Sequence, residues 1–217
     1  MSELNEHQLK TGTTTVGIRC KDGLVLAADT RATAGYMIVD KNAVKIHKVM
    51  DNLALTIAGT VSDVQLIIKL LKAELTLKNI KTYRPTTIKE AANLLANMTY
   101  QNIRKMSMIP GIAQFVMGGF DDNDKRTYSL YDIFPDGSLS EVADYISSGS
   151  GSVFAYGVLE SQYTEKITIE EGIELAKKAV GAALQRDCAT GNGIDIVTIT
   201  KEGIKRLPPL RVNTKAE

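Results

Sequence analysis

Apolar and β-branched residues alternate with small or polar ones from Thr14 to Cys20, the period of a strand set in a sheet. "KDG", Lys21 to Gly23, supplies a turn, and "LVLAAD" from Leu24 forms a second strand. "VKIHKV" and "LALTIAG" follow as two more, separated by the turn residues Asp51 and Asn52. From Ser62, read as an N-cap, the period changes. Leu66, Ile67, Leu70, Leu71 and Leu75 recur at helical spacing up to about Ile80. After "YRP" a second helix is predicted from about Thr87 to Met106, with Ile88, Ala91, Leu95 and Met98 on one face. Three strands come next, "IAQFVMGGF", "TYSLYDI" and "LSEVADYI", joined by the turns "DDND" and "PDG". A Gly/Ser loop, Gly149 to Ser152, leads into a helix through Glu160, and another helix spans Ile169 to about Arg186. Strands "IDIVTIT" and "IKRL" close the chain around "KEG".

Strands and helices thus come in alternating groups, and short turns between strands argue for antiparallel pairing over βαβ crossovers. Both sets of strands are mostly apolar and need cover, which two helix pairs can supply on the outer faces. The pattern predicts an α+β protein, a four-layer αββα sandwich of two antiparallel sheets. No repeat or linker divides it.

Composition narrows the function. At 217 residues there is length for one sizeable core, and 26 Lys and Arg nearly cancel 25 Asp and Glu. That balance gives no support to a nucleic-acid or anionic-membrane partner. The apolar runs are too short for a bilayer, and the leader MSELNEHQLKTG has no apolar centre, unlike a secretory signal. Two cysteines exclude a disulfide framework but not a single bridge; they exclude a four-Cys zinc site, and His7 and His47, in unrelated settings, do not suggest a mixed one. An intracellular, cytoplasmic protein with no metal and no cofactor is expected.

The usual catalytic sets are missing. There is no Gly-x-Ser-x-Gly elbow, His7 lies in the leader, and "SSGSGSVFAYG" lacks the Lys that completes a phosphate-binding loop. Cys20 reads as a core residue, His47 as a strand residue, and Cys188 as a loop residue. Threonine chemistry remains. A Thr hydroxyl is a poor nucleophile without a base, but a Thr at a mature N-terminus carries its own, since an α-amine titrates at about 7.7–8.0. In "KTGTTTVGIRC", cleavage between Gly12 and Thr13 would create such a residue, and Gly12 leaves the carbonyl before it unhindered.

"TGTTTVGIRCKDGLVLAADTRAT", "NAVKIHKV", "LTIAGTVSD", "SGSGSVFAYGVLESQY" and "AALQRDCATGNGID" together resemble the catalytic β-subunits of the proteasome core particle, of the archaeal type, within the N-terminal-nucleophile hydrolases. The resemblance covers Gly12 to about Leu207 and implies a threonine endopeptidase that degrades unfolded proteins inside a closed chamber. It implies that residues 1–12 are a propeptide removed by autocleavage at Gly12–Thr13, and that 13–217 form one catalytic domain. Thr13 matches the nucleophile, Asp29 and Lys45 its acidic and basic partners, and Gly59 the oxyanion donor. Ser150, Asp187 and Thr190 match positions that hold the new α-amine and a water, Thr190 standing where the family usually has Ser. Arg31 matches a supporting position nearby.

By the same resemblance Ala32, Ala43, Ile57 and Val61 line the primary specificity pocket. None is charged, and alternation along "LTIAGTV" puts Ile57, Gly59 and Val61 on one face. Cleavage after apolar or aromatic residues is expected. The implied partners are other β-subunits in seven-membered rings, α-subunit rings and an ATP-dependent unfoldase regulator, with no nucleic acid and no membrane. The rival reading is a non-catalytic, ring-building β-subunit; such subunits typically lose the nucleophile or the lysine, and this chain keeps both.

Overall fold

The computed structural model describes residues 12–108, 110–122 and 127–211. The leader up to Thr11 lies outside these, as do Asn123 and Asp124 of the predicted "DDND" turn.

One antiparallel sheet is built from β1 (Thr15–Cys20), β2 (Gly23–Asp29), β10 (Tyr145–Ser148), β11 (Gly193–Thr200) and β12 (Gly203–Arg206), in the order β10-β1-β2-β11-β12. A short β13 (Leu210–Arg211) also pairs with β11. The second sheet runs in chain order: β5 (Ile46–Met50), β6 (Leu53–Gly59), β7 (Ala113–Asp121), β8 (Thr127–Ile133) and β9 (Leu139–Val142). Between the sheets in sequence, β3 (Ala32–Ala34) and β4 (Met37–Asp40) form a separate hairpin.

Side chains of alternating sign of direction divide the core into three. Leu24, Leu26, Ala28, Val197 and Ile199 of the first sheet meet Ile46, Ala54, Val116 and Leu130 of the second. The other face of the first sheet, with Val16, Ile18, Val25, Ala27 and Ile196, packs on α3 (Ser152–Gln162) and α4 (Ile169–Arg186). Leu53, Leu55, Phe115, Met117 and Tyr131 face α1 (Val61–Thr82) and α2 (Ile88–Ile103). The result is the expected α+β, αββα sandwich. Central strands buried on both faces read as near-continuous apolar runs, which is why "LVLAA" and "LAL" carry so few polar residues.

Helix starts follow local chemistry. Thr87 and Glu90 close a capping box on α2, and Thr168 and Glu171 close one on α4. The Ile88 N–H also donates to the Asp121 carboxylate at 3.1 Å, anchoring α2 to the end of β7. No helix among the described residues is long and apolar enough to cross a membrane.

Four local expectations need correction. "LSEVADYI" is not one strand: β9 ends at Val142, β10 begins at Tyr145, and the two belong to different sheets. The Asp144 side chain turns back onto the Tyr145 N–H at 2.7 Å, and its carbonyl accepts from Arg19 N–H, so the chain crosses between sheets there. The second helix stops at Ile103, with Arg104 as C-cap, and does not reach Met106. The N-cap position of the first helix is Thr60, not Ser62, with no capping bond from its side chain, and the helix runs two residues beyond Ile80. Leu66 and Leu70 belong to its outer, exposed face, whereas Val64, Ile67, Ile68, Leu71 and Leu75 face the core.

Candidate active site

Strand ends from both sheets converge where β1 begins. Thr13 lies two residues before β1, Asp29 ends β2, Lys45 precedes β5, and Gly149 follows β10. Loop 187–192 crosses the same end between α4 and β11.

Asp29 is fully buried, and four donors surround its carboxylate. Oδ1 accepts from Thr14 N–H at 3.0 Å and Lys45 Nζ at 2.7 Å. Oδ2 accepts from the N–H groups of Arg31 and Gly191, each at 3.0 Å. A buried charge tolerates its site only when paired and hydrogen-bonded, and Asp29 is both. Lys45, 5% exposed, reaches past it to Thr13 Oγ1 at 3.0 Å and the Gly12 carbonyl oxygen at 3.4 Å. Burial holds the lysine below the ordinary ammonium range, and the adjacent Asp29 carboxylate opposes that shift. Thr13 Oγ1 itself donates to the Gly12 carbonyl oxygen at 2.6 Å. The hydroxyl therefore sits between a lysine and the carbonyl of its own preceding peptide bond.

A second group lies on the other side of Thr13. Ser150 Oγ and Thr190 Oγ1 both donate to Asp187 Oδ2, each at 2.6 Å, and Ala189 N–H donates to Oδ1 at 3.2 Å. Ser150 Oγ accepts from Thr13 N–H at 3.2 Å. Thr14 Oγ1 reaches Thr190 Oγ1 at 2.7 Å, which ties this cluster to the start of β1. Thr190 is 1% exposed, so its methyl group is accommodated where a serine would leave space.

The residue patterns left part of this unread. Arg31 clips loop 187–192 to the end of β2: its Nε donates to Asn192 Oδ1 and its Nη1 to the Cys188 carbonyl, both at 2.9 Å. Asn192 has a left-handed φ of 69°, a conformation that Asn adopts more readily than most residues. Gly149, with φ 94°, turns so closely over Thr13 that a Cβ there would strike the Thr13 carbonyl. The Gly-Ser composition of "SSGSGS" was the available signal, but it marks a loop without saying what the loop touches.

The pocket residues divide. Ala32 opens β3, Ala43 N–H donates to the Thr30 carbonyl, and Ile57 N–H donates to the Lys45 carbonyl at 3.0 Å; all three are half-buried. Gly59 lies two residues beyond Ile57 at the end of β6, with φ 118°, and a Cβ there would strike the Ile112 carbonyl. Val61 does not continue the strand. It is the first residue of α1 and 49% exposed, so β alternation cannot place it on the face of Ile57. Among the described residues no group of three or more His, Cys, Asp and Glu stands ready to hold a metal ion. Cys20 and Cys188 are free thiols, the first buried and pushed up to about 12, chiefly by desolvation.

The proteasome subunit family matches residues 9–199. The chain belongs to that family. It is similar to the proteasome subunit beta of Archaeoglobus profundus, 44% identical over 192 residues that cover 88% of this chain and 86% of the relative. The proteasome subunit beta of Methanopyrus kandleri is 42% identical over 209 residues, 96% of both chains. Proteasome subunit beta 2 of Pyrococcus abyssi is 42% identical over 201 residues, 93% of both. Every residue of the two hydrogen-bonded groups around Thr13 lies inside the span matched by the proteasome subunit family.

Proposed function

We propose that this chain is a catalytic β-subunit of a proteasome core particle: a threonine endopeptidase whose nucleophile, Thr13, is uncovered by removal of residues 1–12. The observation that carries the reading is the position of Thr13 Oγ1, 2.6 Å from the Gly12 carbonyl oxygen and 3.0 Å from Lys45 Nζ. Attack of that oxygen on the Gly12 carbonyl carbon closes a five-membered ring. Lys45 faces the carbonyl oxygen, where negative charge develops. The C–N bond then breaks, the nitrogen takes up the proton lost by the hydroxyl, and Gly12 is left as an ester on Oγ1. Water hydrolyses the ester, releasing the leader as a carboxylate and leaving Thr13 with a free amine and a free hydroxyl.

The same groups serve turnover. The freed amine titrates near neutrality and is the base for Oγ1. Ser150 Oγ, already 3.2 Å from the Thr13 nitrogen, orients it through the Asp187–Thr190 network. Asp29 holds Lys45 beside Oγ1, and Gly59 supplies a backbone donor to the oxyanion. Ala32, Ala43 and Ile57, with Val61 at the pocket rim, present no charge, so Leu, Phe and Tyr are favoured before the cut bond and Arg or Asp disfavoured. The subunit works in the cytoplasm on unfolded polypeptides. It acts within a seven-membered β-ring flanked by α-subunit rings and fed by an ATP-dependent unfoldase.

Intact mass of the purified particle tests the reading. The chain is expected to begin at Thr13, and Thr13→Ala to keep residues 1–12 and lose all peptidase activity. Efficient loss of the leader from a homogeneous Thr13→Ala particle overturns autocleavage. A panel of fluorogenic peptides differing only before the cut bond tests the pocket; preference for Arg or Asp over Tyr and Leu overturns it.

A further inference from the structure

At the end of the sandwich remote from Thr13 a cleft of about 800 Å³ opens beside the short edge strand β10. Its walls come from both sheets and from the helix layer, with Tyr128 of β8, Tyr145 of β10 and Tyr163, which follows α3. Each ring is held. Tyr163 OH donates to the Arg19 carbonyl at 3.2 Å, and its ring meets Tyr145 edge-on with centroids 4.9 Å apart. Tyr128 lies tilted against Phe120 at 4.8 Å, and its OH accepts from Lys201 N–H at 3.1 Å. A volume of this size suits a small organic molecule or a short peptide, and rings fixed in advance lose little freedom when one arrives.

The charges around this cleft are not held in the same way. Arg19 near the end of β1, Lys21 in the turn that follows, Glu160 in the last turn of α3 and Glu165 beyond it all border the space. Among the described residues none of these four side chains enters an ion pair or a hydrogen bond. The bases stand on the sheet and the acids on the helix layer, so opposite charges share the cleft without meeting across it. Asp144 adds a third carboxylate, steadied by the Tyr145 N–H. Burial pushes the Tyr145 phenol up and Glu160 and Asp144 add to that shift, which puts negative charge around this ring. Burial and Asp144 push the Tyr163 phenol up as well, while Arg19 opposes them. Carboxylates beside a tyrosine ring make a seat for an ammonium group, and an Arg with a Lys makes one for a carboxylate. Among the described residues no three acids, His or Cys converge to hold a metal ion, so a bare cation does not fit.

We propose that this cleft binds a short zwitterionic peptide, of about two or three residues with free termini and an aromatic side chain. Its ammonium lies among Asp144, Glu160 and the Tyr145 ring, and its carboxylate lies on Arg19 and Lys21. A purely anionic or purely cationic ligand would leave one set of charges unmatched in a partly desolvated space. The cleft contributes none of the groups that surround Thr13, so the proposal stands apart from the peptidase reading.

The chain contains no tryptophan, so the emission of a tryptophan peptide reports binding directly. Ala-Trp-Ala with free termini is titrated against the full chain, beside its N-acetyl form and its C-terminal amide. The free peptide is expected to saturate with a Kd of about 0.1–1 mM, and each blocked form to bind about tenfold more weakly. Glu160→Gln should erase the difference between the free and acetylated peptides, and Arg19→Gln the difference between the free peptide and the amide. Each substitution removes the charge that the corresponding terminus meets. Lys21→Gln, in an exposed turn, makes the second comparison if Arg19→Gln misfolds. Failure of the free peptide to saturate, equal binding of all three forms, or discrimination that survives either substitution overturns the proposal. Tighter binding of the amide overturns it in favour of a cation site, and tighter binding of the acetylated form in favour of an anion site.

Discussion

Lys45 has two tasks that different substitutions separate. It neutralises the buried Asp29, and it presents a compact positive charge to Thr13 Oγ1 and the Gly12 carbonyl. Lys45→Ala leaves a buried carboxylate with only backbone donors, so both stability and leader removal should be lost, the former by about 3–5 kcal/mol. Lys45→Arg restores the charge, but a planar fork cannot take the place of an ammonium bonded to three oxygens. It should recover much of the stability with little or no peptidase activity. Urea midpoints and peptidase assays on the same samples check this, and near-normal activity in Lys45→Arg would make the lysine structural only. Asp132 offers a pH test. Burial between the sheets pushes its carboxyl up to about 6, from an ordinary value of 3.8, with Gln114 Nε2 at 3.4 Å as its neighbour. Between about pH 4 and 6 the folded state therefore holds a proton that the unfolded state has released, and stability falls as pH rises through that window. Asp132→Asn should flatten that slope and raise stability at pH 8 by about 1–3 kcal/mol, measured as urea midpoints across the window. Residue types alone placed Thr13, Asp29 and Lys45 as candidates only through their motifs. Nothing in the composition of "RATAG" and "CATGNGID" shows that Arg31 and Asn192 meet, because their contact depends on the sheet that brings β2 beside β11.

Turns and strand ends decide where these side chains are held. Gly149 lies in the tight connection from β10 to α3, where its left-handed backbone brings it against the Thr13 carbonyl. Gly149→Ala adds both a strained φ and a methyl group aimed at that carbonyl. It should cost roughly 1–3 kcal/mol of stability and slow leader removal even in chains that fold, read as the fraction of unprocessed mass in the particle. Most elements were legible because their signals are local: the "KDG" and "KEG" turns, the apolar strands, and the helical spacing of Ile88, Ala91 and Leu95. The failures have one physical cause. Val142 and Tyr145 stand in one short run with no Gly or Pro between them, and only tertiary pairing shows that one belongs with Leu130 and the other with Ile18. Likewise, the β3–β4 hairpin carries Met37, Ile38 and Val39 outward, so its apolar content does not mark a core strand. Helical spacing grouped Leu66 and Leu70 with Leu71 and Leu75, since a helix with two apolar faces has no single amphipathic direction to read.

For the whole molecule, the four layers place every group around Thr13 at one end of the sandwich. An isolated chain should hydrolyse fluorogenic peptides poorly, with activity following the large particle through size separation; full specific activity in a monomer fraction would contradict the ring reading. The four-layer order itself was legible from the grouping of strands and helices, but the covalent route between layers was not. At the end remote from Thr13 the two sheets are joined through Ala143 and Asp144 alone, between Val142 and Tyr145. At the Thr13 end the link from β2 to β5 takes sixteen residues, Thr30 to Lys45, most of them in the exposed hairpin. The sandwich is thus built like a clothes-peg, riveted at one end by two residues and held at the other by a long loose link, by packing, and by the bonds of Lys45 to Asp29, Thr13 and Gly12 and of Arg206 to the Ile46 carbonyl. Thermal opening has one direction available to it, and amide exchange should quicken along the strands from the rivet toward the jaws.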